Sequence, residues 1–436
     1  MQKTAPRPPS ARISFLSASV LGLGAAVASR GAVFLANIML AHSLTVHDFG
    51  LFSYAYVTAL NLGLFLATGV SQAAGHVLPL TEDPERRRRQ LCAFIVLLVA
   101  LIAVAATALY LSATSISIAA FGSAQGGEAL RMAAIVLIAT AFTQALQAFL
   151  YAMHEHRASA SVSIGAALLL LAMLWTMGPI RQPVVALVIF LAINAGAAAS
   201  QLVILGRTTQ NQRGPWRTGR QELRLAFKHA LPSVLTTSMG APVHWICLSM
   251  LAAMTDGAHQ LALFSVAFQW YIAITFIPAT LGNLALPFLA RNTGATEAMV
   301  RQRFRSALLF GGGLSLALGC MAFLLAGQIF AWLYPAAYGS AAASMRSLAV
   351  AAALCGISVL LQQRIAAAGK FWRNFAMAAV YSVIYVAAAY LALRLGYGAP
   401  SIGLAMSAAY CCLILFQTLT LQSDSGAAIR LGRSFS

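Results

Sequence analysis

Apolar stretches long enough to cross a bilayer follow one another along nearly the whole chain, separated by short polar connectors. A spanning helix needs about 20 mainly apolar residues. Such stretches lie at 13–41, 49–79, 91–112, 130–153, 158–178, 183–205, 231–254, 261–290, 306–333, 344–368, 374–395 and 400–422. Inside a bilayer the backbone must satisfy its own polar groups, and uninterrupted runs of this length do so as helices. The pattern predicts an all-α integral membrane protein of about 12 transmembrane helices. Several runs exceed the roughly 30 Å hydrocarbon core at about 1.5 Å per residue, so they tilt or reach into the headgroups. Composition agrees: 60% of the 436 residues are hydrophobic, 9% are charged, and mean hydropathy is +0.80. That is too little charge to cover a water-facing surface, and a large soluble domain does not fit.

The formal net charge of +18 invites a nucleic-acid reading, but its placement argues against one. The basic residues sit in short connectors, without the soluble, aromatic-interleaved groove such binding needs. With the N-terminus inside, 23 of the 28 Lys and Arg residues fall in the cytoplasm, as the positive-inside rule demands. Arg131, Arg181, Arg346 and Arg394 fall outside, and Arg30 lies within the first span. Both termini are therefore expected in the cytoplasm. The N-terminal MQKTAPRPPSAR resembles a signal-peptide n-region, but the apolar run after it is too long for an h-region and reads as an uncleaved first span. The six cysteines lie in apolar stretches without metal or disulfide spacing.

The longest polar connector, Gly206 to His229, divides the spans six and six. We expect an N-terminal six-helix lobe at 1–205, a cytoplasmic linker at 206–229, and a C-terminal six-helix lobe with a short tail at 230–436. The linker's RQELRLAFKH reads as a short amphipathic helix on the inner leaflet. The halves look duplicated. Leu51-Phe52-Ser53 recurs as Leu263-Phe264-Ser265, Arg131 matches Arg346, Gln147 matches Gln363, and Gln201 matches Gln417. Six helices per repeat makes the repeats parallel, with a pseudo-two-fold along the membrane normal.

Ionisable residues inside spans mark function by default. All ten acids map to connectors or span ends, so no carboxylate sits at depth to receive an organic cation, sodium or a proton. The deep charge is Arg30, roughly 4–5 Å past the middle of its span. Two readings stand for it: contact with an anion in a cavity shared with Asn37, or snorkelling to the outer headgroups. Polar stripes at helical spacing add Asn61, Thr68, Gln72 and His76, then Thr140, Gln144, Gln147, Tyr151 and His154. Thr237, His244, Gln269, Thr280 and Asn283 do the same in the second half. Singly, such residues more often bond a neighbouring helix. Together they suit a sugar-bearing substrate. Arg364 reads either as a cavity-entrance cation or as a topology anchor beside Lys370 and Arg373. Pro242, inside the seventh span, should bend it. Neither a nucleophile–base set, nor a phosphate-binding glycine loop, nor a metal cluster is present in the sequence, so no catalytic residue, metal or cofactor is expected. Gly311-Gly312-Gly313 reads as close helix packing.

Residues 29–70, SRGAVFLANIMLAHSLTVHDFGLFSYAYVTALNLGLFLATGV, carry a resemblance. The small-residue first helix that ends in AHSLTVHDFGLFS is similar to the multidrug/oligosaccharidyl-lipid/polysaccharide exporter superfamily, above all its bacterial polysaccharide-biosynthesis flippases. ALQAFLYAMHEHRASA and LLQQRIAAAGKFWRNF fit the same pattern. The resemblance implies alternating access between two lobes in the bacterial inner membrane. It also implies flipping of a polyprenyl-pyrophosphate-linked oligosaccharide from inner to outer leaflet, with Arg30 placed to meet the pyrophosphate. Assembly proteins such as a polysaccharide polymerase would be partners. The chain departs from relatives with several cavity arginines, from the fourteen-span peptidoglycan-precursor branch, and from drug exporters with an acid in the first helix. A drug or small-solute exporter of this fold is the alternative, disfavoured by the acid-free spans. A membrane polymerase or ligase would need a sizeable outer loop, and the longest outer connector, about Ala113 to Ala129, holds one acid and no base.

Overall fold

The computed structural model describes residues 9–81, 83–153, 155–210, 218–237, 240–290, 297–367 and 371–433. Among them the chain is helical throughout, with no strand. The helices are α1 (Pro9–Ser43), α2 (Val46–Val77), α3 (Pro84–Phe121), α4 (Gly127–Ala152), α5 (His156–Thr176), α6 (Pro183–Gln210) and α7 (Arg220–Thr237). They continue as α8 (Ala241–Ala252), α9 (Gly257–Ala290), α10 (Glu297–Ala307), α11 (Gly313–Leu333), α12 (Ala341–Ala367), α13 (Phe371–Arg394) and α14 (Pro400–Arg433). Each of the twelve predicted stretches falls on helix. Among the described residues ten helical segments are long and apolar enough to cross a membrane, and α8 is a shorter apolar helix.

Three boundaries differ from expectation. The seventh stretch is not one helix but two, α7 and α8. Pro242 has no backbone N–H to continue a helix and sits in the first turn of α8, where that lack costs nothing. The expected outer connector at 113–129 is mostly helix, because α3 runs on to Phe121. Ser117 Oγ then donates to the Ser123 carbonyl at 2.7 Å and closes the turn. At its other end α3 begins seven residues early. Asp83 caps it, Glu85 N–H donates to Asp83 Oδ1 at 3.0 Å, and Pro84 takes the first helical position. Of the expected linker, 206–210 finish α6, 220–229 open α7, and 211–217 lie outside the described residues.

The chain forms two compact units. The first comprises Met1–Leu44, Tyr54–Ile118 and Ser123–Ala241; the second comprises Thr45–Ser53, Ala119–Gly122 and Pro242–Ser436. In the first, α4 packs along α6 and α1 along α5. In the second, α12 is the central helix, with α9, α11 and α14 against it. Its most apolar window is 67% buried, against 22% in α13, whose outer face is left for lipid. Small residues allow these approaches, as expected where helices associate by packing rather than by the hydrophobic effect. A Cβ on Gly319 would stand 2.8 Å from Ala353 Cβ, and one on Gly311 would stand 2.9 Å from Leu360 Cδ1. The triple glycine runs through a π-helical turn, Leu308–Gly312, that joins α10 to α11.

Thr45 and Asp48 close the N-terminus of α2. Thr45 Oγ1 accepts from Asp48 N–H at 3.1 Å and donates to Asp48 Oδ2 at 2.7 Å. Phe49 packs edge-on to Tyr338 within the second unit, ring centroids 5.9 Å apart. The aspartate of the family-like turn thus holds the capping hydroxyl of Thr45.

Candidate functional site

In the first unit, α2 presents Thr68, Ser71 and Gln72, and α4 presents Gln144, Gln147 and Ala148. The spacing i, i+3, i+4 puts each set on one face of its helix. Together with Ala67 they line a pocket of about 330 Å³. Gln147 is anchored: its Nε2 donates to Tyr151 Oη and to Ser163 Oγ, both at 3.2 Å. Ser163 carries the connection to α1, where Ser29 Oγ donates to the Ser163 carbonyl at 3.4 Å. Ser71 Oγ is buried with no hydrogen-bond partner among the described residues. Gln72 is exposed and Gln144 half-buried, and their amides line the same space. One turn pair up α2, the Asn61 Nδ2 is also buried without a partner among the described residues. Of the expected stripe of Asn61, Thr68, Gln72 and His76, Thr68 and Gln72 line this pocket, whereas the His76 ring lies 6.5 Å from that of His229.

The second unit contrasts with this. His244 on α8 stacks on Phe268 of α9, centroids 4.7 Å apart and planes at 21°. Its Nδ1 lies 2.9 Å from Tyr385 Oη on α13, while Nε2 is buried with no partner among the described residues. Tyr381 lies 5.9 Å from Tyr385 and 4.9 Å from Tyr410, and Tyr410 Oη is 3.1 Å from Tyr271 Oη. Phe264, Phe268 and Tyr271 form one face of α9, consecutive rings 5.2 Å apart. Sequence reasoning found His244 and missed its tyrosines. The available signal was the i, i+4 aromatic spacing of Tyr381 with Tyr385 and of Phe264 with Phe268.

The remaining expected residues scatter. Arg30 is exposed on α1, with other groups interacting with it. Asn37, one helical face below it, is 3% exposed and donates through Nδ2 to its own helix at the Val33 carbonyl, 2.8 Å away. Thr280 likewise donates to the Phe276 carbonyl at 2.8 Å. Gln269 is half-buried on α9. Arg364 is half-buried in the last turn of α12, where a cation meets the negative end of the helix dipole. The Asn283 side chain and His154 lie outside the described residues. Four of the described acids, Asp48, Glu85, Glu128 and Glu222, each occupy a helix's first turn. There they complement the positive end of the dipole.

No family model matches the chain. A curated relative, the EPS I polysaccharide export inner membrane protein EpsE of Ralstonia solanacearum, is 88% identical over 436 residues, covering 100% of both chains. In structure the chain is similar to an inward-facing multidrug resistance MATE family transporter of the MOP superfamily, with a TM-score of 0.72. The identity there is 14%, over 92% of this chain and 95% of that one. It is also similar to lipid II flippase MurJ in an inward closed conformation, with a TM-score of 0.74 and 14% identity over 92% of this chain and 87% of that one. Two lobes of membrane helices are the common architecture. At 88% identity over its whole length, the chain belongs to one family with the Ralstonia EPS I polysaccharide export inner membrane protein, and its fold is that shared by MATE transporters and the MurJ flippase.

Proposed function

We propose that this multi-pass inner-membrane transporter flips a polyprenyl-pyrophosphate-linked oligosaccharide from the inner to the outer leaflet by alternating access, with both termini in the cytoplasm. The observation that carries the reading is chemical. The first unit offers a pocket lined by amides and hydroxyls, Thr68, Ser71, Gln72, Gln144 and Gln147, with Ser71 Oγ unpartnered among the described residues. Among the described residues, the acids nowhere reach a span interior. Sugar hydroxyls exchange water for such groups at little cost, since each partner both donates and accepts. A pyrophosphate would be drawn to Arg30 as a planar, bidentate cation, whereas an organic cation would lose its hydration without a counter-charge. The name of the Ralstonia relative, a polysaccharide export protein, and the likeness to a lipid II flippase support this reading over a drug exporter.

The test is a clean deletion strain complemented by wild type, Arg30→Ala or Arg30→Lys. Deletion should strand lipid-linked glycan on the cytoplasmic side and remove surface polysaccharide, with sensitivity to cationic dyes unchanged. Arg30→Ala should behave like the deletion at near-normal membrane levels, and Arg30→Lys should keep part of the export. Dye hypersensitivity with intact surface glycan would overturn the flippase in favour of a drug exporter. Full export by Arg30→Ala would return that residue to snorkelling.

A further inference from the structure

Helix α7 holds two parallel rows of side chains on one exposed face. Arg220, Arg224 and Lys228 recur every four residues, and so do Leu223, Phe227 and Leu231 immediately beside them. Spacing of four keeps each row on a line, and an offset of three sets the rows next to each other. The apolar row is well exposed: Leu223 37%, Phe227 52% and Leu231 43%. The basic row is exposed as well. Three contacts within the first unit fix which way this face points. Ala226 and Ala230, buried at 1% and 2%, lie along the flank of the apolar row away from the cations. Glu222, the single acid of the helix, turns inward to Arg89 of α3, Oε1 to Nε 3.7 Å. Val234 touches α2 where Gly69 has no side chain. The helix is therefore pinned by its small and acidic residues, and its outer face keeps three cations and three large apolar groups with no carboxylate among them. No described salt bridge uses those three cations.

We propose that this face is a binding site for anionic phospholipid headgroups, with the first three turns of α7 at the membrane interface. Leu223, Phe227 and Leu231 would enter the acyl boundary, and Arg220, Arg224 and Lys228 would hold phosphates one helical turn apart. An acidic protein surface satisfies the cations but leaves the apolar row against polar groups. A lipid monolayer offers both layers at the separation of the two rows. The pairing of Glu222 with Arg89 removes the one charge that would repel a phosphate there. The inference is independent of the transported substrate.

The test uses the full-length protein in detergent, titrated with phosphatidylglycerol or phosphatidylcholine of identical chains, with retained lipid counted by native mass spectrometry. Phosphatidylglycerol should be retained in preference to phosphatidylcholine. Arg224→Gln alone should weaken that preference about fivefold, and Arg220→Gln/Arg224→Gln/Lys228→Gln together roughly a hundredfold. Phe227→Ser/Leu231→Ser should lower retention of both lipids alike, and Arg86→Gln, exposed but off this helix, should change neither. An unchanged preference in the triple variant overturns the site. Should the triple variant fail to accumulate, an unchanged preference in each single variant overturns it equally. Displacement of phosphatidylglycerol by a soluble polyglutamate at equal charge concentration would also overturn it, in favour of an acidic protein partner.

Discussion

Two polar clusters, one in each unit, are partnered differently. In the first, α2 and α4 line a pocket with the amides of Gln72 and Gln144 and with Ser71, whose hydroxyl is buried without a partner among the described residues. In the second, His244 Nδ1 is tied to Tyr385 and Tyr271 to Tyr410 inside an aromatic stack on α8, α9, α13 and α14, and only His244 Nε2 of that set lacks a described partner. A polar atom in a low-dielectric interior that lacks a partner is costly, so an uncommitted set persists where something else will satisfy it. A committed set instead holds helices together. On the proposed function, the first unit's pocket would meet substrate, while the second unit's cluster would hold its helices in register.

The largest effect should come from emptying the pocket. Gln72→Ala/Gln144→Ala removes two amides that no described residue needs. At about 1 kcal/mol for each sugar hydrogen bond lost, rising where a partner is left unpaired, glycan export should fall between about 30- and 100-fold. The melting temperature of the purified protein should stay within about 2 °C of wild type, because no intramolecular bond is broken. An equal loss of stability would erase the distinction between the two regions.

The cluster should respond in the other sense. Tyr385→Phe removes the partner of His244 Nδ1 and leaves both imidazole nitrogens unpaired in a buried site. A cost of about 1 to 2 kcal/mol is expected, read as a lower unfolding temperature in detergent. Export per folded molecule should be unchanged. His244→Leu/Tyr385→Phe should recover most of the loss, since replacing both partners by apolar groups removes the unsatisfied atoms. A double variant as unstable as the sum of two singles would mean that the two side chains are not coupled, and the cluster would lose its registering role.

Most of the architecture was legible because a bilayer leaves a chain few choices. Twelve apolar runs became helix, and the proposed internal duplication has physical echoes. Phe52 and Phe264 are exposed 0% and 1%, and Gln201 and Gln417 each 1%. Gln417 accepts from Ser358 Oγ at 3.2 Å, whereas the Gln201 amide is buried with no described partner, so one member of the pair has kept a bond the other lacks. Boundaries were less legible where polar residues extend helices. Asp83 and Pro84 start α3 early, and hydropathy does not see a cap. The break between α7 and α8 was half-visible, as Pro242 announced a bend but not a restart. Helical spacing anticipated that Thr68, Gln72, Gln144 and Gln147 share faces of α2 and α4, and these four line one pocket. The tyrosines around His244 did not, because aromatic residues in apolar spans look like ordinary packing until several helices bring them together.

Asn37 provides the smallest and most discriminating measurement, because it was expected in the cavity with Arg30 and lies instead against its own helix. Its Nδ2 donates to the Val33 carbonyl at 2.8 Å, and the side chain is 3% exposed. That carbonyl also receives the ordinary backbone bond of the helix, so losing the side-chain donor strands nothing. Asn37→Ala should therefore cost about 0.6 kcal/mol, the average for such bonds between and within membrane helices. Export should stay within about twofold of wild type, because a side chain held in this way offers its amide to no substrate. The paired measurement is Gln144→Ala, a residue of similar chemistry whose amide faces the pocket, and which should lose export with no cost in stability. If Asn37→Ala instead abolishes export in a protein that melts normally, the amide must leave the Val33 carbonyl in another conformation of the transport cycle. The contrast between uncommitted and committed polar groups would then describe one state rather than a division of labour.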